Sequence, residues 1–298
     1  MSLRDLVSRA MIILIASVFV LGILPLLHLL SVVLINGFQV FLRDPIGVLI
    51  KEPPLPGSKE LGGVGPYILG TIILVSIASL VSIPISIAAA SYSVESMNRR
   101  ISSLTTLIVR IMIEFPTIVI GLSIYGAILL TQNILNNLIS LLGWSGYVSI
   151  PKFSALSGAM ALAIVMIPYV YTQVEDGFRQ IPHHIREAVY SLGFSRVRSV
   201  IILSGYIRSA ILSGVLIGVA KILGETASLI FTAFGSDYYV TGFPDMLVNP
   251  VGSLTLWIYK AALSPYDNWR DLAWFASMIL VIFTLALFSL SKYVSARR

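Results

Sequence analysis

Six stretches of this chain are apolar for long enough to cross a lipid bilayer, and they decide what the chain can fold into. They fall at residues 11–35, 67–92, 104–130, 153–171, 206–234 and 272–290. The hydrocarbon core needs about 20 apolar residues of helix to span it. Backbone polar groups find no water there, so each crossing segment must be a helix. The sequence therefore predicts an all-α membrane protein with six transmembrane helices, kinked at Pro84, Pro116 and Pro168. Only 11% of the residues are charged and 57% are hydrophobic. A soluble domain carries roughly 25% charged residues. With no cysteine in the chain, disulfides, thiolate metal sites and cysteine nucleophiles are excluded.

The net charge of +6 does not point to nucleic acid, because the basic residues sit in short loops beside apolar runs. One set of loops holds Arg4, Arg9, Arg99, Arg100, Arg179, Arg186, Arg196, Arg198, Lys292, Arg297 and Arg298. Excess Lys and Arg mark the cytoplasmic side, so both termini are expected there. The apolar run at 11–35 is longer than a secretory signal core and is expected to stay as the first helix. No nucleotide-binding loop is present, so the chain cannot use ATP alone. Two units are expected: residues 1–66 as an N-terminal helix with its external loop, and residues 67–298 as a five-helix core with a cytoplasmic loop at about 174–204.

That loop carries a short amphipathic helix. Pro182 suits a helix start and Gly193 a helix end. Between them Ile185, Ala188, Val189 and Leu192 share one face. Such a helix either lies on lipid headgroups or docks in a groove of a cytoplasmic partner. Glu187-Ala188-Val189, three residues, then Gly193 resembles the E-A-A-x-x-x-G loop of ABC importer permeases, with Val189 in place of the second alanine. A resemblance to that family implies that Ile185, Glu187, Ala188, Val189, Leu192 and Gly193 couple the chain to an ATPase subunit.

Two predicted spans carry charges away from their ends: Arg110 with Glu114, and Lys221 with Glu225. Charge at such depth costs several kcal/mol unless it is paired or wet. Each pair is spaced i, i+4, on one helix face. Self-neutralisation explains either pair, and Arg110 can also reach the interface along its stem. A conduit for an anion explains them equally, with the carboxylate keeping the cation from holding the ion too tightly. Thr226 offers a hydroxyl, although such groups also serve helix packing. His183 and His184 are adjacent and diverge on a helix, so no metal site is expected.

The residues from Lys221 to Ala233 narrow the resemblance. They are similar to the signature R-x-x-G-E-T-A-P-L-L-F-T-A of phosphate importer permeases, with Lys221 for Arg and Ser228 for Pro. The resemblance implies a six-helix permease of the MetI-like type in the cell membrane, moving phosphate by alternating access through Lys221, Glu225, Arg110, Glu114 and Thr226. It implies a second permease, two ATPase subunits and an extracellular phosphate-binding protein as partners. It further implies no cofactor on this chain, with ATP and magnesium on the ATPase. A permease for molybdate or sulfate, or a secondary transporter, are the alternative readings.

Overall fold

The computed structural model describes residues 3–96, 98–142, 146–240 and 242–296. Arg297 and Arg298, counted above for orientation, lie outside them, as does the side chain of Arg9. The described residues form the helices α1 (Leu3–Arg43), α2 (Gly47–Ile50), α3 (Gly65–Glu95), α4 (Arg99–Glu114), α5 (Thr117–Leu141), α6 (Ala155–Arg179) and α7 (His183–Ser191). There follow α8 (Arg196–Tyr206), α9 (Arg208–Leu223), α10 (Ala227–Ile230), α11 (Asp245–Val248), α12 (Leu254–Ala262) and α13 (Asp267–Ala296). Among the described residues the only β feature is an isolated bridge from Phe234 to Val251.

Five helices are long and apolar enough to cross a membrane: α3, α5, α6, α13 and the Met11–Arg43 part of α1. The pair α8 and α9, bent by 77°, is together apolar enough for a sixth if the two count as one broken span. Two spans differ from the sequence reading. The stretch 104–130 is not one helix: α4 stops at Glu114 and α5 starts at Thr117. Pro116 forces the residue before it out of the helical region, and Phe115 is extended at φ −73°, ψ 130°. The stretch 206–234 also breaks, because α9 ends at Leu223. There Glu225 N–H closes a tight turn onto Ile222 O at 3.2 Å, and the Glu225 carbonyl accepts from Thr255 Oγ1 at 2.7 Å.

Pro84 and Pro168, by contrast, sit inside continuous helices. Both lie where α3 packs on α6. Beside them Ser86 Oγ donates to Ser82 O at 2.7 Å and across to Ile167 O at 3.1 Å. Neighbouring helices and hydroxyls keep proline helices intact in lipid.

The core is built on α6, buried nearly all round, with α3 and α9 as its main partners. Lipid gives no hydrophobic drive between helices, so close approach of small residues holds them together. A Cβ on Gly218 of α9 would sit 2.9 Å from Val170 and 3.0 Å from Met166 of α6. Further back, Gly177 of α6 leaves room for Ala210 of α9. The two helices therefore run antiparallel. α13 joins α9 through a buried hydroxyl pair, Ser213 and Ser291, at 2.7 Å.

The end of the bundle that carries loops 44–64 and 235–253 has its own aromatic core. Tyr67, Trp257 and Trp269 pack there as tilted rings with centroids 4.9 and 5.1 Å apart. Trp269 Nε1 donates to Pro54 O at 3.0 Å, which ties the first loop down. α1 is exposed along most of its length and packs chiefly on α13, where Gly37 allows Met278 to approach.

Candidate functional site

Lys221 is in the last turn of α9, and Glu225 follows the break. Their ion pair measures 2.8 Å. The two partners differ in surroundings: the Glu225 side chain is 6% exposed and that of Lys221 39%. The ammonium also lies 5.9 Å from the Tyr169 ring of α6. Behind Glu225, Thr71, Ser253 and Thr255 help line a cavity of about 10 Å³. That is about the least room that holds one water, so no larger ion fits behind the acid. The open approach is from the half-exposed face of Lys221. Thr226 stands beside the pair, and its carbonyl accepts from Leu229 and Ile230 N–H. Ser228 is fully buried, its hydroxyl without a partner. Its backbone packs on Gly121 of α5, where a Cβ would meet Ser228 O at 2.4 Å.

Arg110 and Glu114 share that i, i+4 spacing but not that arrangement. Both are exposed on α4, outside the span Thr117–Leu141, and no ion pair joins them among the described residues. The structure does not bring them to the Lys221 site. Arg110 instead lines a groove of about 440 Å³ with Arg99, Ser103, Thr106 and Arg179. Gly218 and Lys221 are level with Met166 and Tyr169 of α6, so Arg179 lies about 15–20 Å further along that helix.

The amphipathic helix expected before Gly193 is α7, closed by Gly193 at φ +71°. Its apolar residues divide. Val189 is buried and Ile185 half-buried against the chain's own core, whereas Glu187, Ala188 and Leu192 are exposed. α7 is held by a contact that the sequence reading missed. Glu95, the last residue of α3, is 3.2 Å from Arg186 Nε and accepts from the Tyr190 hydroxyl at 2.7 Å. Arg186 also donates to Phe178 O of α6 at 2.8 Å. Burial and the Glu95 carboxylate push the Tyr190 hydroxyl up to about 12. The sequence separations, 91 and 95 residues, leave no local signal for this clamp. The only hint is a lone acid at the end of an apolar run.

Among the described residues no group of His, Cys, Asp and Glu is arranged to hold a metal ion. The family described as "Binding-protein-dependent transport system inner membrane component" matches residues 82–298, and the chain belongs to it. It is thus a multi-pass membrane protein and a permease subunit of an ABC importer. Among relatives, it is 31% identical over 293 residues to the "Probable phosphate transport system permease protein PstA" of Methanocaldococcus jannaschii, covering 98% of this chain and 95% of that one. It is 32% identical over 242 residues to the PstA phosphate permease of Pasteurella multocida, covering 80% and 78%. A solved structure of the MetNI methionine ABC transporter in inward-facing conformations shares the fold, with a TM-score of 0.52 at 13% identity over 84% of this chain and 98% of that chain.

Proposed function

We propose that the chain is the PstA-type permease subunit of an ATP-driven importer of inorganic phosphate. The curated relatives' names support the substrate. The observation that carries the mechanism is the Lys221–Glu225 pair, with its carboxylate buried and its ammonium half open. A cation at bilayer depth replaces the water that an anion sheds. The carboxylate 2.8 Å away keeps the empty site neutral and lets the anion leave. Lys221 binds as a point charge, without the two parallel bonds that Arg gives an oxyanion. Because its open face looks out of this chain, a second, PstC-type permease completes the passage. Thr226 supplies a hydroxyl at the same level.

In this reading both termini and α7 face the cytoplasm, residues 1–66 form a peripheral element, and residues 67–298 form the permease core. Two PstB-type ATPase subunits hold the ATP and magnesium, and a PstS-type protein delivers phosphate from outside. The exposed Glu187, Ala188 and Leu192 meet the ATPase, while Ile185 and Val189 seat α7 on the permease and Gly193 turns the chain away. Movement of α7 passes to α3 through Glu95 and to α6 through the Arg186–Phe178 bond.

Uptake by the reconstituted importer tests this. Radiolabelled phosphate is expected to accumulate with ATP and the binding protein, with excess sulfate or molybdate having little effect. Accumulation of either of those in place of phosphate overturns the substrate. Normal phosphate uptake by Lys221→Gln overturns the role of the pair. As the native chain has no cysteine, single introduced cysteines in α7 report orientation directly through membrane-impermeant labels.

A further inference from the structure

α4 carries a polar stripe: Arg99, Ser103, Thr106 and Arg110 recur every three or four residues on one face. Across the groove of about 440 Å³, α6 contributes Arg179. Among the described residues the acid ion-paired to this group is Glu175, 2.6 Å from Arg179 and accepting from Thr106 Oγ1 at 3.2 Å. Three guanidinium groups thus line the groove, one of them paired to Glu175. Arg99 and Arg110 have no ion-pair partner among the described residues. A face with unpaired guanidinium groups is not stable against acyl chains, so it adjoins water or headgroups.

We propose that this groove, between α4 and the Glu175–Arg179 end of α6, is an oxyanion site for phosphoryl groups, separate from the Lys221 site. The proposal rests on the phosphate-permease reading for its place in transport, as a cytoplasmic station where the ion is released. The chemistry suits a phosphate group: guanidinium forks grip it in pairs, and serine and threonine hydroxyls add donors. Arg99 and Arg110 are eleven residues apart, about 16 Å along the helix. One phosphate therefore touches them in turn rather than together. The groove is open and its arginines are exposed, which favours weak binding and fast release. Free phosphate and an anionic lipid headgroup share this chemistry.

The test measures equilibrium binding of radiolabelled inorganic phosphate to the assembled, nucleotide-free importer in phosphatidylcholine nanodiscs, subtracting binding by the isolated ATPase. Arg99→Gln and Arg110→Gln each remove one of two alternative positions and are each expected to weaken it by about twofold, and the double variant by about tenfold, with Arg110→Lys retaining more binding than Arg110→Gln. A parallel arm uses nanodiscs containing phosphatidylglycerol. If phosphate still binds there, the ligand is the free ion. If it is displaced and the retained phosphatidylglycerol falls with Arg110→Gln, the ligand is the headgroup. If neither phosphate binding nor lipid retention responds to any arginine variant, the proposal is overturned. Uptake separates this result from the wider reading: loss of the groove effect with phosphate uptake intact sinks only the groove. No phosphate uptake by the parent importer, with the groove effect intact, sinks only the assignment as a phosphate permease.

Discussion

The pairs Lys221/Glu225 and Arg110/Glu114 have the same charges at the same spacing, yet only one is a pair in the folded chain. Lys221 and Glu225 meet at 2.8 Å with the acid buried. Arg110 and Glu114 stay apart on an exposed face. The difference comes from the backbone breaks. After Leu223 the chain turns inward, and Thr255 captures the Glu225 carbonyl, so the acid is driven into the core beside the last turn of α9. At Pro116 the break instead follows Glu114, and nothing packs over the two side chains. Burial, not spacing, decides whether two opposite charges become one neutral unit.

The strongest way to break this contrast is to remove one partner of the buried pair. Lys221→Ala leaves a buried carboxylate uncompensated, which costs about 3 kcal/mol. The thermal unfolding midpoint of the purified importer should fall, and phosphate uptake should disappear. Adding Glu225→Gln should restore most of the stability but not the uptake. A single variant as stable as the parent would remove the case for a tightly packed pair.

Next in size is the packing that holds Lys221 in place. Gly218→Leu inserts a side chain where Val170 and Met166 leave no space, and overpacking of this kind costs about 2 kcal/mol. Recovery of stability on adding Val170→Ala would localise the strain to the α6–α9 contact. A smaller stability effect, with a larger functional one, is expected at the clamp. Glu95→Gln removes the charge that faces Arg186 and weakens the Tyr190 bond, costing about 1 kcal/mol. ATP hydrolysis should continue while phosphate carried per ATP declines. Unchanged transport per ATP would show that α7 communicates by another route.

The smallest effect sharpens the comparison from the other side. Glu114→Gln should change stability by less than about 0.5 kcal/mol. A double-mutant cycle of Arg110→Gln with Glu114→Gln should show almost no coupling. Coupling comparable to that of Lys221 and Glu225 would mean that the two sites are alike after all.

Much of the architecture was legible in the apolar runs. The stretches 67–92 and 272–290 fall within α3 and α13, and 11–35 lies inside α1. What the runs did not reveal is where helices stop. Pro84, Pro116 and Pro168 read alike in sequence, but Ser86 bridges α3 to α6 beside the first and last, and Pro116 has no such neighbour. Whether a proline kinks or ends a helix depends on packing partners distant in the chain. The same holds for the candidate site. Lys221 and Glu225 stood out because charge is rare in such a run. Glu95 did not, since its partners lie more than ninety residues away. The face shared by Ile185, Ala188, Val189 and Leu192 was visible as a period, but its division between the chain's own core and the exterior was not.

The packing of α1 bears on how the chain is made. This helix precedes the other described helices, yet its chief companion, α13, follows all of them. During synthesis at about 5–20 residues per second, α1 waits in the membrane without its companion until the helices between them have emerged. Its apolar surface suits that wait, and the notch at Gly37 stays vacant until Met278 arrives.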